Sequence, residues 1–205
     1  MLRRRRPQRG VTLIELMVGL TVLAIFLMYA GPSFATWMNN SRIRNTADAL
    51  VAGLQYAKAE AVSRNARVRF QFVTTLDAAC APSASGRNWV VNLDPANDPD
   101  AVAGNCDAAP SDTAAPRILQ ARPAADGSGV TSVDSPVSTL VFNGLGRITP
   151  VPAGQVTIDI TNPAAGTCAL DGGDLNCLRV VVSPAGQVRM CNPKFANTDP
   201  QGCPP

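Results

Sequence analysis

Apolar and polar positions follow three successive rhythms along this chain. Between residues 11 and 30 only Thr12, Glu15, Gly19 and Thr21 interrupt an apolar run of twenty residues. A helix of that length rises about 30 Å, the thickness of a bilayer's hydrocarbon core. Gly31-Pro32-Ser33 then breaks the run. Beyond it Ile43, Ala47, Leu50, Leu54, Ala57 and Ala61 recur at steps of four and three, one face of a helix, while Ser41, Asp48, Gln55 and Arg64 fall on its other faces. A pattern that resumes after Pro32 predicts a kinked helix, not a terminated one. Residues 11–65 are expected as one helix of about 80 Å, apolar all round in its first half and amphipathic in its second.

The third rhythm has period two. Val68, Phe70 and Phe72 alternate with Arg67, Arg69 and Gln71, a strand with one buried face. Further strands are expected at 89–93, 140–142, 155–160, 178–182 and 187–190, with Val156, Ile158, Ile160, Leu178, Val180 and Val182 facing inward. Asn143-Gly144-Leu145-Gly146 supplies a turn. Residues 74–88 and 94–136 are rich in Ala, Pro, Asp, Ser and Gly, and read as long surface loops with a weak strand near 117–120. The expected class is α+β: a long N-terminal helix packed on an antiparallel sheet.

Composition narrows the chemistry. The 205 residues contain no histidine, which removes Ser-His-Asp catalysis, Cys-His proteolysis and His-ligated zinc. Aromatics at 5% are too sparse for a stacking platform on nucleic acid. Arg3, Arg4, Arg5, Arg6 and Arg9 carry the positive balance; without them thirteen basic residues face 15 acidic ones, and the net charge is −2, not +3. A basic start before an apolar run places the N-terminus in the cytoplasm and the rest outside.

An ordinary secretory signal cut near Ser33-Phe34-Ala35 is one reading of this start. Glu15 opposes it, because a carboxylate inside the apolar stretch costs roughly 2.5–3.5 kcal/mol. With Glu15 excluded, only fifteen residues remain up to residue 30, too few to span comfortably. A twin-arginine signal is discounted, since the Arg run lacks suitable flanks. The segment Arg9-Gly10-Val11-Thr12-Leu13-Ile14-Glu15-Leu16 resembles the processing site of type IV prepilins and type II secretion pseudopilins. The resemblance implies a pilin-like fold, cleavage by a prepilin peptidase between Gly10 and Val11, and N-methylation of Val11. The family usually has Phe at that first position; Val departs from it. Glu15, fifth in the mature chain, is the implied assembly residue. In a filament it would pair with the Val11 ammonium of a neighbouring subunit, each charge offsetting the other's desolvation. Pro32 falls where many pilins bend.

The resulting layout is a cleaved leader at 1–10, a transmembrane and assembly half-helix at 11–34, an amphipathic half-helix at 35–66 and a periplasmic β-rich head at 67–205. All six cysteines lie in the head, where the compartment favours disulfides. Of fifteen possible connectivities the sequential one is expected: Cys80–Cys106, Cys168–Cys177 and Cys191–Cys203, each stabilising by about 2–4 kcal/mol. No Cys-x-x-Cys occurs, which argues against a metal. No cofactor and no enzymatic activity are implied.

Phe142-Asn143-Gly144-Leu145-Gly146-Arg147 resembles a segment of the GspH/FimT group, and residues 183–191 resemble the end of its FimT-like branch. The latter implies a minor pilin acting in pilus assembly or initiation, exposed at last on the cell surface. In some members it also implies binding of double-stranded DNA for uptake, through a Gly-Arg-x-Arg motif. Here Gly186-Gln187-Val188-Arg189 keeps only the second arginine, and glutamine supplies no charge to phosphate. Arg179, Arg189 and Lys194 are the candidate DNA contacts. Over 73–205, however, twelve acidic residues outnumber seven basic ones. The alternative is a GspH-like minor pseudopilin of a type II secretion system. Either reading makes the inner membrane, the peptidase and other pilins or pseudopilins the partners. The cluster Arg42, Arg44, Arg64, Arg67 and Arg69 is expected to face neighbouring subunits or the head's own acidic loops.

Overall fold

The apolar run and the four-three pattern join in one helix, α1 (Leu13–Arg64). The computed structural model describes residues 10–94, 98, 101–123 and 130–204. Arg3, Arg4, Arg5, Arg6 and Arg9 lie outside the described residues. Two units are distinguished, Met1–Met38 and Asn39–Pro205. In the first, every large apolar side chain between residues 11 and 28 is exposed. Among the described residues no single helix is long and apolar enough to cross a membrane. Leu13–Met28 and Ser33–Arg64 pass together as a bent pair by length and composition, with Pro32 between them.

In the second unit, Ile43, Ala47, Leu50, Leu54, Ala57 and Ala61 are all buried, the face that the spacing marked. They share one core with the inward residues of two four-stranded antiparallel sheets. The first sheet runs β3-β2-β1-β5, from β1 (Val68–Val73), β2 (Asn88–Leu93), β3 (Ile118–Arg122) and β5 (Thr139–Phe142). The second runs β4-β6-β7-β8, from β4 (Ser132–Asp134), β6 (Val156–Thr161), β7 (Leu178–Val182) and β8 (Val188–Cys191). The sequence pattern suggested a single sheet; the strands divide into two. β4 is the strand missed, because three residues are too short to show a period.

Helix and sheet approach closely at Gly53. A Cβ there would lie 2.8 Å from Trp89 Cζ2 and 2.9 Å from Phe70 Cε2. The Trp89 and Phe70 rings stack beneath it at 5.3 Å between centroids. The 143–146 turn forms with Gly146 at φ +72°, and Asn143 Oδ1 accepts from the Leu145 and Arg147 N–H groups at 3.0 and 3.1 Å.

β1 departs from the one-sided strand expected of it: all six residues are buried. Phe70 and Phe72 face the helix, while Arg69, Gln71 and Val73 lie on the opposite face. That face is covered by a second apolar cluster, Val73, Cys80, Val90, Val102, Cys106 and Ile118. Cys80, Val102 and Cys106 come from the stretches read as surface loops, so these parts of them act as a lid over the sheet. Asp77 shapes the lid's first turn. Its carboxylate accepts from Thr75 Oγ1 at 2.7 Å and from Ala79 N–H at 2.8 Å, and those bonds hold it below the usual carboxylate range.

Candidate processing and assembly site

Gly10 and Val11 precede the first turn of α1 and are exposed. A Cβ on Gly10 would meet nothing within 4 Å, so the Gly10–Val11 bond is uncovered. The helix starts at Thr12, whose carbonyl accepts from Leu16 N–H at 3.1 Å. Thr12 Oγ1 accepts from Glu15 N–H at 3.3 Å, and Glu15 Oε2 accepts from Thr12 N–H at 3.5 Å. This reciprocal arrangement is a capping box. It puts the carboxylate at the positive end of the helix dipole, where an anion is favoured. The Thr-x-x-Glu spacing ahead of an apolar run signals it in the sequence, yet Thr12 was not singled out there.

The cysteines are bonded as Cys80–Cys106, Cys168–Cys177 and Cys191–Cys203, with Cα atoms 6.1, 5.5 and 5.0 Å apart. Among the described residues no group of three or more His, Cys, Asp or Glu side chains is placed to hold a metal.

The candidate DNA contacts do not act as a free trio. Asp159 stands directly across from Arg179 on the neighbouring strand. Its two oxygens accept from Arg179 Nε and Nη2 at 2.7 and 3.1 Å. A guanidinium closed on a carboxylate in this forked geometry offers little charge to phosphate. Arg189 pairs in register with Val181, and Arg179 with Cys191, which puts both arginines on one face of β7 and β8. Asp134 and Asp159 stand opposite one another on the same face, so the charges there balance. Arg189 and Lys194 are exposed.

The other basic cluster divides: Arg64, Arg67 and Arg69 reach acidic residues of the head, whereas Arg42 and Arg44 meet residues of α1 itself. Arg64 Nε lies 2.7 Å from Glu60 and its Nη1 3.4 Å from Asp112; Arg67 Nη2 lies 2.6 Å from Asp94. Arg69 is buried against the same carboxylate. Arg44 sits 3.8 Å from Asp48, and Arg42 donates to Asn39 at 3.5 Å.

A long N-terminal helix on an antiparallel head, with a capped glutamate just after an exposed Gly-Val bond, defines the pilin and pseudopilin class. Residues 46–186 match the family described as type II transport protein GspH, and residues 5–30 match the prokaryotic N-terminal methylation motif. The chain belongs to the GspH family. Proteins of this class are structural and non-catalytic. The family match ends at Gly186, before most of the stretch that suggested the FimT-like branch; it reaches the family and not that branch. No curated protein matches the chain. Two crystal structures of the type IV minor pilin FimU from Pseudomonas aeruginosa are similar at 18% identity. The P21 form gives a TM-score of 0.51 over 82% of this chain and 98% of that one; the P65 form gives 0.48 over 78% and 98%. At that identity the P21 likeness speaks to the fold alone.

Proposed function

We propose that this chain is a minor pseudopilin of a type II secretion system. A prepilin peptidase cuts it between Gly10 and Val11, and Val11 is then methylated. The first half of α1 holds it in the inner membrane with the head in the periplasm. In the filament, Glu15 of one subunit pairs with the Val11 ammonium of the next, and each desolvated charge offsets the other. One observation carries this reading: a single chain joins the methylation motif at 5–30 to a GspH match over 46–186. Of the two branches weighed from the sequence, the family match favours the secretion system.

A chromosomal deletion tests it. Secretion of type II substrates is expected to fall while pilus-dependent motility persists. Complementation with the unaltered chain restores secretion, and Glu15→Ala is cleaved normally but does not restore it. The mature protein's mass is expected to begin at methylated Val11. Loss of motility with intact secretion would assign the chain to a type IV pilus, and a mature N-terminus near Thr36 would overturn processing altogether.

A further inference from the structure

The reach of the membrane segment turns on how α1 continues past residue 30. Counted from Leu16 to the Gly31-Pro32-Ser33 interruption, the apolar run is too short for a bilayer. The helix does not stop there; it runs on through 31–38. Residues 16–38 contain no Asp, Glu, Lys or Arg. These positions run about 33 Å along the helix axis, and with the 41° bend between Met28 and Ser33 they still reach about 31 Å, enough for the hydrocarbon core.

The far end of this stretch carries two large exposed rings. Phe34 is 60% and Trp37 63% exposed, with centroids 5.7 Å apart. Asn39 and Asn40 follow at once and are already engaged by the head. Asn40 Oδ1 accepts from Asn176 N–H at 2.8 Å, and Asn39 Oδ1 accepts from Asn162 Nδ2 at 3.3 Å. At the near end stands the Thr12–Glu15 capping box. Amphipathic aromatic rings settle at the level of lipid headgroups.

We infer that the Phe34–Trp37 pair is a lipid-interface anchor on the periplasmic side. It sets the span at 16–38 and leaves Glu15 in the cytoplasmic headgroup layer. This rests on the membrane reading above. It changes the role of the neighbour's ammonium: within the bilayer the carboxylate reaches headgroups and water, and the intersubunit pair is required only once the subunit rises into the filament.

Trp37 and Trp89 are the only tryptophans, and Trp89 is buried in the head. The mature full chain is placed in phosphatidylcholine/phosphatidylglycerol vesicles whose acyl chains are brominated either near the headgroup or near the chain end. Shallow bromines are expected to quench about twofold more than deep ones, as an interfacial indole requires. Trp37→Phe abolishes the lipid-dependent quenching. Trp89→Phe keeps it; should that variant not fold, the contrast between Trp37→Phe and the unaltered chain carries the result. Stronger quenching by deep bromines, or none in protein that floats with the vesicles, overturns the anchor and leaves the membrane reading standing. Protein that does not float overturns both.

Discussion

Arg69 is the residue whose surroundings depart furthest from its sequence context. Alternation put it on the open side of β1, yet its side chain is 3% exposed and Asp94 beside it 1%. Burial of a guanidinium is tolerable only with an opposite charge in contact. Asp94 serves two such groups, Arg69 from within and the half-exposed Arg67 from without. The two truncations should therefore be unequal. Asp94→Asn removes the carboxylate in contact with a buried cation, which keeps the Asp98 carbonyl as an acceptor, and is expected to cost about 3–5 kcal/mol, whereas Arg69→Met leaves the carboxylate its Arg67 partner and costs less. The double variant should recover part of the loss. Thermal unfolding of the four proteins as a double-mutant cycle checks this; additive losses would show that the charges are not coupled. Arg179 makes the same point at the surface. Its charge was legible in the sequence, but its pairing with Asp159 follows from strand register, which a single sequence does not display.

At the scale of elements, the face of α1 was readable because a helix buries a fixed period, and all six marked residues are in the core. Most strands were readable for the same reason. β4 was not, since Ser132, Val133 and Asp134 are too few to establish alternation. The division into two sheets was hidden because it depends on which strands pair. Gly53 was also silent: a lone glycine in a helical pattern reads as a mild flaw costing about 1 kcal/mol against alanine. Here it lets Trp89 and Phe70 lie against the helix backbone. Two effects compete in Gly53→Ala. Helix propensity gains about 1 kcal/mol, while a methyl pressed into rigid rings costs about 1–3 kcal/mol. The melting temperature is expected to fall by a few degrees, since each kcal/mol moves a chain of this size about 2–4 °C. Gly154→Ala, where an added Cβ meets nothing within 4 Å, is the control and should stay within about 0.5 kcal/mol of the original. A rise in melting temperature for Gly53→Ala would show that the rings yield.

For the molecule as a whole, the N-terminal methylation motif was legible because the motif and the helix cap within it both rest on contiguous residues. The lid over the first sheet was not, because long-range burial made a cover of a segment whose composition suggests a loop. The three disulfides allow that difference to be measured. Their loops span 26, 9 and 12 residues. Loop-closure entropy alone ranks them at about 3.5, 2.6 and 2.8 kcal/mol, a narrow spread. What each bridge holds in place separates them more. Cys80 and Cys106 sit inside one apolar cluster with Val73 of β1 and Val90 of β2, so losing their bond loosens both the lid and the strand face beneath it. Cys191–Cys203 fastens the C-terminal tail to the end of β8. Limited trypsin digestion read by mass spectrometry should resolve the two cases. The Cys80→Ala/Cys106→Ala protein is expected to be cut after Arg87 and Arg117. The Cys191→Ala/Cys203→Ala protein should be cut after the exposed Lys194, releasing the tail and leaving residues up to 194 resistant. If both variants keep Arg87 and Arg117 protected, the lid is held by its apolar contacts and not by its bridge, and the ranking by what each bond covers fails.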